Sequence, residues 1–457
     1  MKISTIILAA GKGTRMRSEK PKVLHAIANK PMLKHVYAMS KQIEDNTINI
    51  IYGHGGEQLQ SACAELDANW VEQAQQLGTG HAVQQVIPFI GDQDIVLILY
   101  ADVPLLKLAT VLRLLELVNE KALALLTVNL NDPSGYGRIV RNEHAQVQKI
   151  VEEKDATLHE KLIQEVNTGI LAVPGGPLKR WLNALDNNNA QGEYYLTDII
   201  AMAVAEGVHI VTTQPEDEAE VMGVNNRMQL NYLERVYQAR QAEYFMSQGV
   251  TLIDAKRFDV RGDIELLGQD IEIDINVILE GRIHIGNNVR IGANCIIKNA
   301  VIADDVEILP HCVIENATIG RGSRIGPFAR LRPDTELADN VHIGNFVEIK
   351  KSTIATGSKV NHLSYIGDTT MGSRVNVGAG TITCNYDGVN KFKTIIKDGV
   401  FIGSNSQLVA PVTLAENATI GAGSTITKDT PANQLTLARS KQVSLANWQR
   451  PVKKEIK

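Results

Sequence analysis

Little in this chain of 457 residues offers a soft metal site or a covalent staple. Its four cysteines, Cys63, Cys295, Cys312 and Cys384, show no C-x-x-C spacing, so neither zinc nor a disulfide framework is indicated. Long apolar runs are also missing; none approaches the ~20 residues of a membrane span. The opening Ile3–Ala10 stretch imitates a signal peptide, but it is short and the basic Gly11-to-Lys22 segment follows without a spacer. It reads as a buried first strand, and the cytoplasm is the expected compartment. There is no positive excess: a net charge of −5 argues against nucleic acid as a partner. The loop after that strand lacks the third glycine of a dinucleotide-binding fingerprint, because Met16 stands there, and it lacks P-loop spacing.

What is present is a period of six. Every sixth residue reads Val277, Ile283, Val289, Cys295, Val301, Glu307, Val313, Ile319, Ile325, Leu331, Leu337, Ile343 and Ile349, and only Glu307 is not apolar. That period suits neither a helix nor an alternating strand. Hexapeptide repeats form a parallel β-helix: each unit lays a short strand on one face of a triangular prism and turns the sixth side chain inward. Stacked coils then share one core that no single coil could bury. A β-sandwich would need turns every ~8–12 residues instead. The column shifts at Ile354 (Ile354, Val360, Ile366), breaks over residues 383–394 and resumes at Ile402, Leu408, Leu414, Ile420 and Ile426. A polar excursion from a coil stack costs loop entropy without adding core, so it is expected to carry function.

The N-terminal half alternates apolar strands (Ile3–Ala10, Ile48–Tyr52, Ile95–Tyr100) with helices expected near 30–43 and 56–66. This predicts an α/β domain whose mostly parallel sheet is covered on both faces, with ligands at the strands' carboxyl ends. Two features fall there. The Gly11 loop with Arg15, Lys20 and Lys22 suits a polyphosphate or is a solvated basic turn. Asp102 is either a helix cap or a ligand for Mg²⁺, which takes one or two carboxylates. Over residues 227–248, Leu230, Leu233, Val236 and Tyr237 recur at helical spacing. We expect a linker helix there, ending at Gly249, between domains at 1–226 and 249–457.

The stretch Leu8-Ala9-Ala10-Gly11-Lys12-Gly13-Thr14-Arg15-Met16, then Pro21-Lys22, resembles the signature of sugar-1-phosphate nucleotidyltransferases. Gln76–Ala82, Tyr100–Pro104, Gly135–Arg138, Val166–Gly169 and Gly223–Asn226 extend the match, with Ala101 where a glycine is common. With the β-helix included, the chain is similar to a bacterial bifunctional family. In it an N-acetylglucosamine-1-phosphate uridylyltransferase is fused to a glucosamine-1-phosphate N-acetyltransferase with a left-handed parallel β-helix.

The resemblance implies roles. Leu8, Ala9, Ala10, Gly11 and Lys22 would hold the nucleotide, with Arg15 and Lys22 as catalytic cations. Gln73, Gly78 and Thr79 would read uracil, beside Tyr100 and Ala101. Asp102 and Asn225 would hold Mg²⁺; Gly137, Glu152 and Asn167 would hold the N-acetylglucosamine. His362, two residues past the column position Val360, would be the general base of acetyl transfer, a role that imidazole suits. Arg332, Lys350, Tyr365, Asn376 and Lys391 would bind the amino-sugar phosphate. Ala379, Asn385, Tyr386, Ser404, Ala422 and Arg439 would bind acetyl-CoA. UTP and acetyl-CoA are then co-substrates, and the β-helix faces would pack into a homotrimer.

Two other readings compete. In one, only the nucleotidyltransferase acts and the β-helix is an assembly module; the loop from Asn385 to Lys393 and His362 speak against it. In the other, a non-catalytic scaffold, the Gly11 loop, Asp102 and Asn225 would all be idle. The basic tail Arg450-Pro451-Val452-Lys453-Lys454 reads as a solvated terminus.

Overall fold

The computed structural model describes residues 2–453 except Lys12, His54, Asp263 and Leu267. Lys12 of the loop motif and Lys454 of the basic tail therefore lie outside the described residues. The chain divides into two compact units, Met1–Gln238 and Ala239–Lys457.

In the first unit the main sheet runs His209–Thr213, Ala122–Asn129, Glu165–Pro174, Ile95–Tyr100, Ile3–Leu8, Asn46–Tyr52, Asn69–Glu72. Neighbours are parallel except at Glu165–Pro174, which is antiparallel to both strands beside it. Buried apolar residues line both faces. Ile7, Leu97 and Leu99 belong to one core, and Ile6, Val96 and Ile98 to the other. That two-sided burial is why these strands read as unbroken apolar runs. Ile3–Leu8 lies between Asn46–Tyr52 and Ile95–Tyr100, and its last residue, Leu8, pairs with Tyr100. The Gly11 loop and Asp102 therefore leave the sheet side by side. The helix expected near 30–43 spans Met32–Ser40, because Lys30–Pro31 is taken up in a short strand paired with Ala26–Ile27.

A helix over Arg227–Ser247 follows. Leu233 is buried with Met16, Ile27 and Met32 in the first unit, while Ala242 and Phe245 join the core of the second. The chain leaves it at Gly249, whose φ of 91° suits glycine.

The second unit is a parallel β-helix in which each strand pairs with the equivalent strand one coil on. Its core is one continuous column, from Val260 through Ile285, Leu331 and Val360 to Ile426. The six-residue count departs from this column in one place. Val301 and Val313 are 46% and 39% exposed, while Ala300, Ile302, Cys312 and Ile314 point inward. The coil length is the cause. Ile278 pairs with Ile296 eighteen residues on, but Ile296 pairs with Val313 and Val313 with Arg330, each seventeen on. One missing residue turns a strict count of six outward, which also explains Glu307. The shift at Ile354 has the same origin, since Leu337 pairs with Ile354.

At one corner His311, Phe328, Phe346 and Leu363 all adopt positive φ, between 47° and 64°. The His311 and Phe328 rings stack at 4.7 Å and those of Phe328 and Phe346 at 5.3 Å, while Phe328, Phe346 and Leu363 stay exposed.

Candidate functional site

The first unit holds a cavity of about 420 Å³ at the carboxyl ends of its central strands. Leu8, Ala9, Ala10, Gly11, Lys22, Gln73, Gly78, Thr79, Tyr100 and Asp102 line it, as the motifs suggested, together with Val23, Gln76, Ala82 and Glu193. The backbone shapes this wall. Ala9 N donates to Ile51 O at 2.8 Å, and Ala101 N donates to Leu8 O at 3.0 Å. Ala101 is fully buried, so it supports the cavity from behind. Gln76 Nε2 donates to Ala10 O at 2.8 Å and Gln73 Nε2 to Gly78 O at 3.0 Å. Gly78 has a φ of 113°, and a Cβ there would sit 2.6 Å from Tyr194 O. Only glycine brings this backbone so close.

At the cavity's charged edge Lys22 forms an ion pair with Asp102. The Lys22 ammonium also donates to Asn225 Oδ1 at 3.3 Å, and Arg15 reaches the same oxygen at 2.9 Å. Asp102 and Asn225 thus turn oxygen ligands toward one point that already attracts a cation. Val224 N donates to Asp102 O at 2.9 Å, which ties the two chain segments together. Hard oxygens from one carboxylate and one amide fit the protein's share of a Mg²⁺ shell.

Farther along, Asn167 N donates to Gly137 O at 2.8 Å, and Asn167 Oδ1 accepts from Gly169 N at 2.9 Å. Glu152 lies across from Gly137, where a Cβ would stand 3.5 Å from its carboxylate. Burial raises the Glu152 pKa, partly offset by the Thr197 hydroxyl that donates to it at 3.0 Å. Burial also raises Tyr100, with Glu152 and Asp102 adding to the effect. Asp198 is pushed up to about 6 by burial and then by Asp186, Glu152 and Asp155.

In the second unit His362 closes the strand Lys359–His362 and is exposed. Its Nδ1 lies 3.1 Å from Asn345 Oδ1. An amide oxygen can only accept, so in the neutral imidazole Nδ1 carries the proton and Nε2 keeps its lone pair. Asn345 pairs with His362, and Val360, Val377, Ile402 and Ile420 pair in turn from coil to coil. His362, Ala379, Ser404 and Ala422 each stand two residues past those positions and form a single row, one coil apart. Arg439 completes it by donating to Ala422 O at 2.6 Å.

Around the corner, Arg332 is paired with Glu348 at 2.7 Å. Tyr365 lies over Gly367, where any Cβ would collide with its ring. A side-chain hydrogen bond with Lys350, and then the Lys350 charge, lowers the pKa of Lys391, so the two side chains are neighbours with a shared preference for an anion. Asn376 stands on the neighbouring sheet, in register with Lys359 and Phe401. The polar excursion is a hairpin closed by a Tyr386–Lys391 bridge, with Phe392 N donating to Asn385 O at 2.9 Å. It lengthens its coil, so that Ile382 pairs with Gln407 twenty-five residues on.

Sequence reasoning did not single out Gln76, Glu193 or Asn345. Gln76 heads one of the quoted motifs, and Asn345 falls at a coil corner, where it reads as a turn residue. Nothing local marks Glu193.

Three family models match separate parts of this chain. A MobA-like NTP transferase domain matches residues 5–162, a GMPPB C-terminal domain 264–341, and six bacterial transferase hexapeptide repeats 393–428. The "Bifunctional protein GlmU" of Methylococcus capsulatus is 61% identical over 453 residues, covering 99% of this chain and 98% of its own. That of Marinobacter nauticus is 56% identical over 451 residues, covering 99% of each. Among solved structures, a UDP-glucose pyrophosphorylase complexed with UDP-glucose is 15% identical, with a TM-score of 0.42, over 52% of this chain and all of its own.

Proposed function

Because this chain belongs to the bifunctional GlmU family, we infer that its units divide two successive group transfers between them. The second unit moves an acetyl group from acetyl-CoA to glucosamine-1-phosphate. The first joins the product to UTP, giving UDP-N-acetylglucosamine and pyrophosphate.

In uridylyl transfer a phosphate oxygen of N-acetylglucosamine-1-phosphate attacks the α-phosphorus of UTP in line, and pyrophosphate leaves. No protein nucleophile is required, because positioning and charge neutralisation supply the catalysis. Leu8–Gly11 offer backbone to the nucleotide, Gln73, Gly78 and Thr79 read the uracil edge, and Arg15 and Lys22 face the phosphates. Gly137, Glu152 and Asn167 hold the sugar. Asp102 and Asn225 would hold Mg²⁺, which when bound neutralises phosphate charge.

In acetyl transfer the sugar amine attacks the thioester carbonyl, the C–S bond breaks and coenzyme A departs as a thiol. His362 Nε2 takes the amine proton, with Asn345 fixing the tautomer. Arg332, Lys350, Tyr365, Asn376 and Lys391 bind the sugar phosphate. Ala379, Asn385, Tyr386, Ser404, Ala422 and Arg439 bind acetyl-CoA, and small residues along the row leave it room.

The chain acts as a homotrimer in the cytoplasm. The exposed Phe328–Phe346 stack supports self-association, since a contiguous apolar ridge is rarely left in water. Among the described residues no helix is long and apolar enough to cross a membrane, and all four cysteines are free.

The observation that carries the reading is that the cation-and-carboxylate cleft and the His362 row occur in different units of one chain. The test is a product assay of purified protein. Glucosamine-1-phosphate, acetyl-CoA, UTP and Mg²⁺ together should give UDP-N-acetylglucosamine. Omitting acetyl-CoA should abolish it, and N-acetylglucosamine-1-phosphate should restore it.

A further inference from the structure

Asp368 joins the pieces of the acetyl-transfer site without belonging to any role assigned above. Its backbone N–H donates to Lys350 O at 3.0 Å, and its backbone carbonyl accepts from Thr394 N at 3.1 Å. Its carboxylate accepts from Asn385 Nδ2 at 2.5 Å. One residue thus contacts the strand that carries Lys350, the first residue of the hairpin and the strand that follows it. The same carboxylate lies near enough to Lys391 to favour its charge, against the repulsion from Lys350.

Its place in the prism accounts for the backbone but not for the side chain. Asp368 has a φ of 47°, at a corner where Asn316, Asp334 and Lys351 also take positive φ. Asp and Asn tolerate that conformation. A corner needs no contact to a loop, however, and the hairpin contributes no residue to the buried column. A long polar excursion on a rigid stack has many conformations open to it. The Asp368–Asn385 contact fixes its base, and the Tyr386–Lys391 bridge carries that order along the hairpin.

We propose that Asp368 is a positioning residue for acetyl transfer. It clamps the hairpin so that Asn385 and Tyr386 meet the acetyl donor while Lys391 stays beside Lys350 for the sugar phosphate. The proposal rests on the acetyltransferase reading of this unit.

Three variants of the full chain test it. Asp368→Gly keeps a residue at ease with positive φ and removes the carboxylate. Asp368→Asn keeps an acceptor for Asn385 and removes the charge. Asn385→Ala removes the other partner. In Asp368→Gly, KM for acetyl-CoA should rise about 10-fold or more, as for loss of a charge-assisted hydrogen bond. Asp368→Asn should recover most of that loss. Asp368→Gly combined with Asn385→Ala should be no worse than the poorer single variant, because both break one contact. A purely structural role would instead lower the melting temperature, depress kcat at unchanged KM and give additive losses. That pattern, or a wild-type KM in Asp368→Gly, would overturn the proposal. Wild-type acetyl transfer is measured alongside; its absence would overturn the underlying reading too, whereas an active wild type with an indifferent Asp368→Gly would remove the clamp alone.

Discussion

Lys22 stands where the two proposed metal-binding side chains meet, so its ammonium already balances Asp102. Removing that carboxylate takes the ion-pair partner from Lys22 and leaves Lys22 and Arg15 sharing the uncharged Asn225 oxygen. We expect Asp102→Ala to lower uridylyl transfer by about 10²-fold or more, the scale of losing one electrostatic stabiliser. Acetyl transfer should be unchanged, as coupled assays of the two half-reactions would read. His362→Ala should lower acetyl transfer by about 10²–10⁴-fold and spare uridylyl transfer. If acetyl transfer survived the substitution, His362 would not be the base. Asp198 makes a different prediction, about stability. Its folded pKa of about 6 lies above the ordinary value, so folding favours the protonated form. That contribution is complete below about pH 4 and lost as pH rises through 6. Asp198→Asn should therefore match wild type near pH 3 and exceed it by about 1 kcal/mol at pH 8. Solvent screening and the helix N-terminus both reduce the full effect. Thermal melts at the two pH values decide it. At this scale the sequence conveyed residue type and motif order but not pairing. Asn345 pairs with His362 across seventeen residues, and a spacing that long has no local signature.

Elements were more legible than contacts. Apolar strands with no polar face could only be central in a covered sheet, and the six-residue period named the prism. What the period concealed was the loss of one residue in some coils, which left Val301 and Val313 outside. A strict count cannot register a deletion when residues on both faces of a short strand are apolar. The excursion was visible as a break, but the contact at its base is with Asp368, which precedes Asn385 by a full turn of the prism. Cutting the hairpin back to an ordinary coil length should abolish acetyl transfer and barely change the melting temperature, because it adds nothing to the column. A large fall in melting temperature would show that the hairpin supports the prism. Gly78→Ala probes the other site. Its methyl group would press on Tyr194 O in a disfavoured conformation, at a cost of about 1–3 kcal/mol. We expect weaker UTP binding in calorimetric titration, with acetyl transfer intact.

Across the whole chain, two units with separate cores share one helix. Ala242 and Phe245 are each 1% exposed, within the core of the second unit. A fragment that begins at Gly249 loses both; one that begins at Ala239 keeps them. Urea unfolding should find the longer fragment more stable by about 3–5 kcal/mol, the usual loss for a buried phenylalanine. Self-association belongs to this scale too: sedimentation equilibrium at micromolar concentration should return three chains, and Phe346→Glu should shift the protein toward one. The row from His362 to Ala422 is built on a stack that has an end. Rungs inside it are held from both sides, but among the described residues no strand follows Leu435–Thr436 to hold them. Opening of a stack begins at its open end. Amide hydrogens should therefore exchange ever faster from His362 toward Arg439. The grip on the acetyl donor would come undone many times for each opening at the base, and donor release would follow the breathing of the last coil.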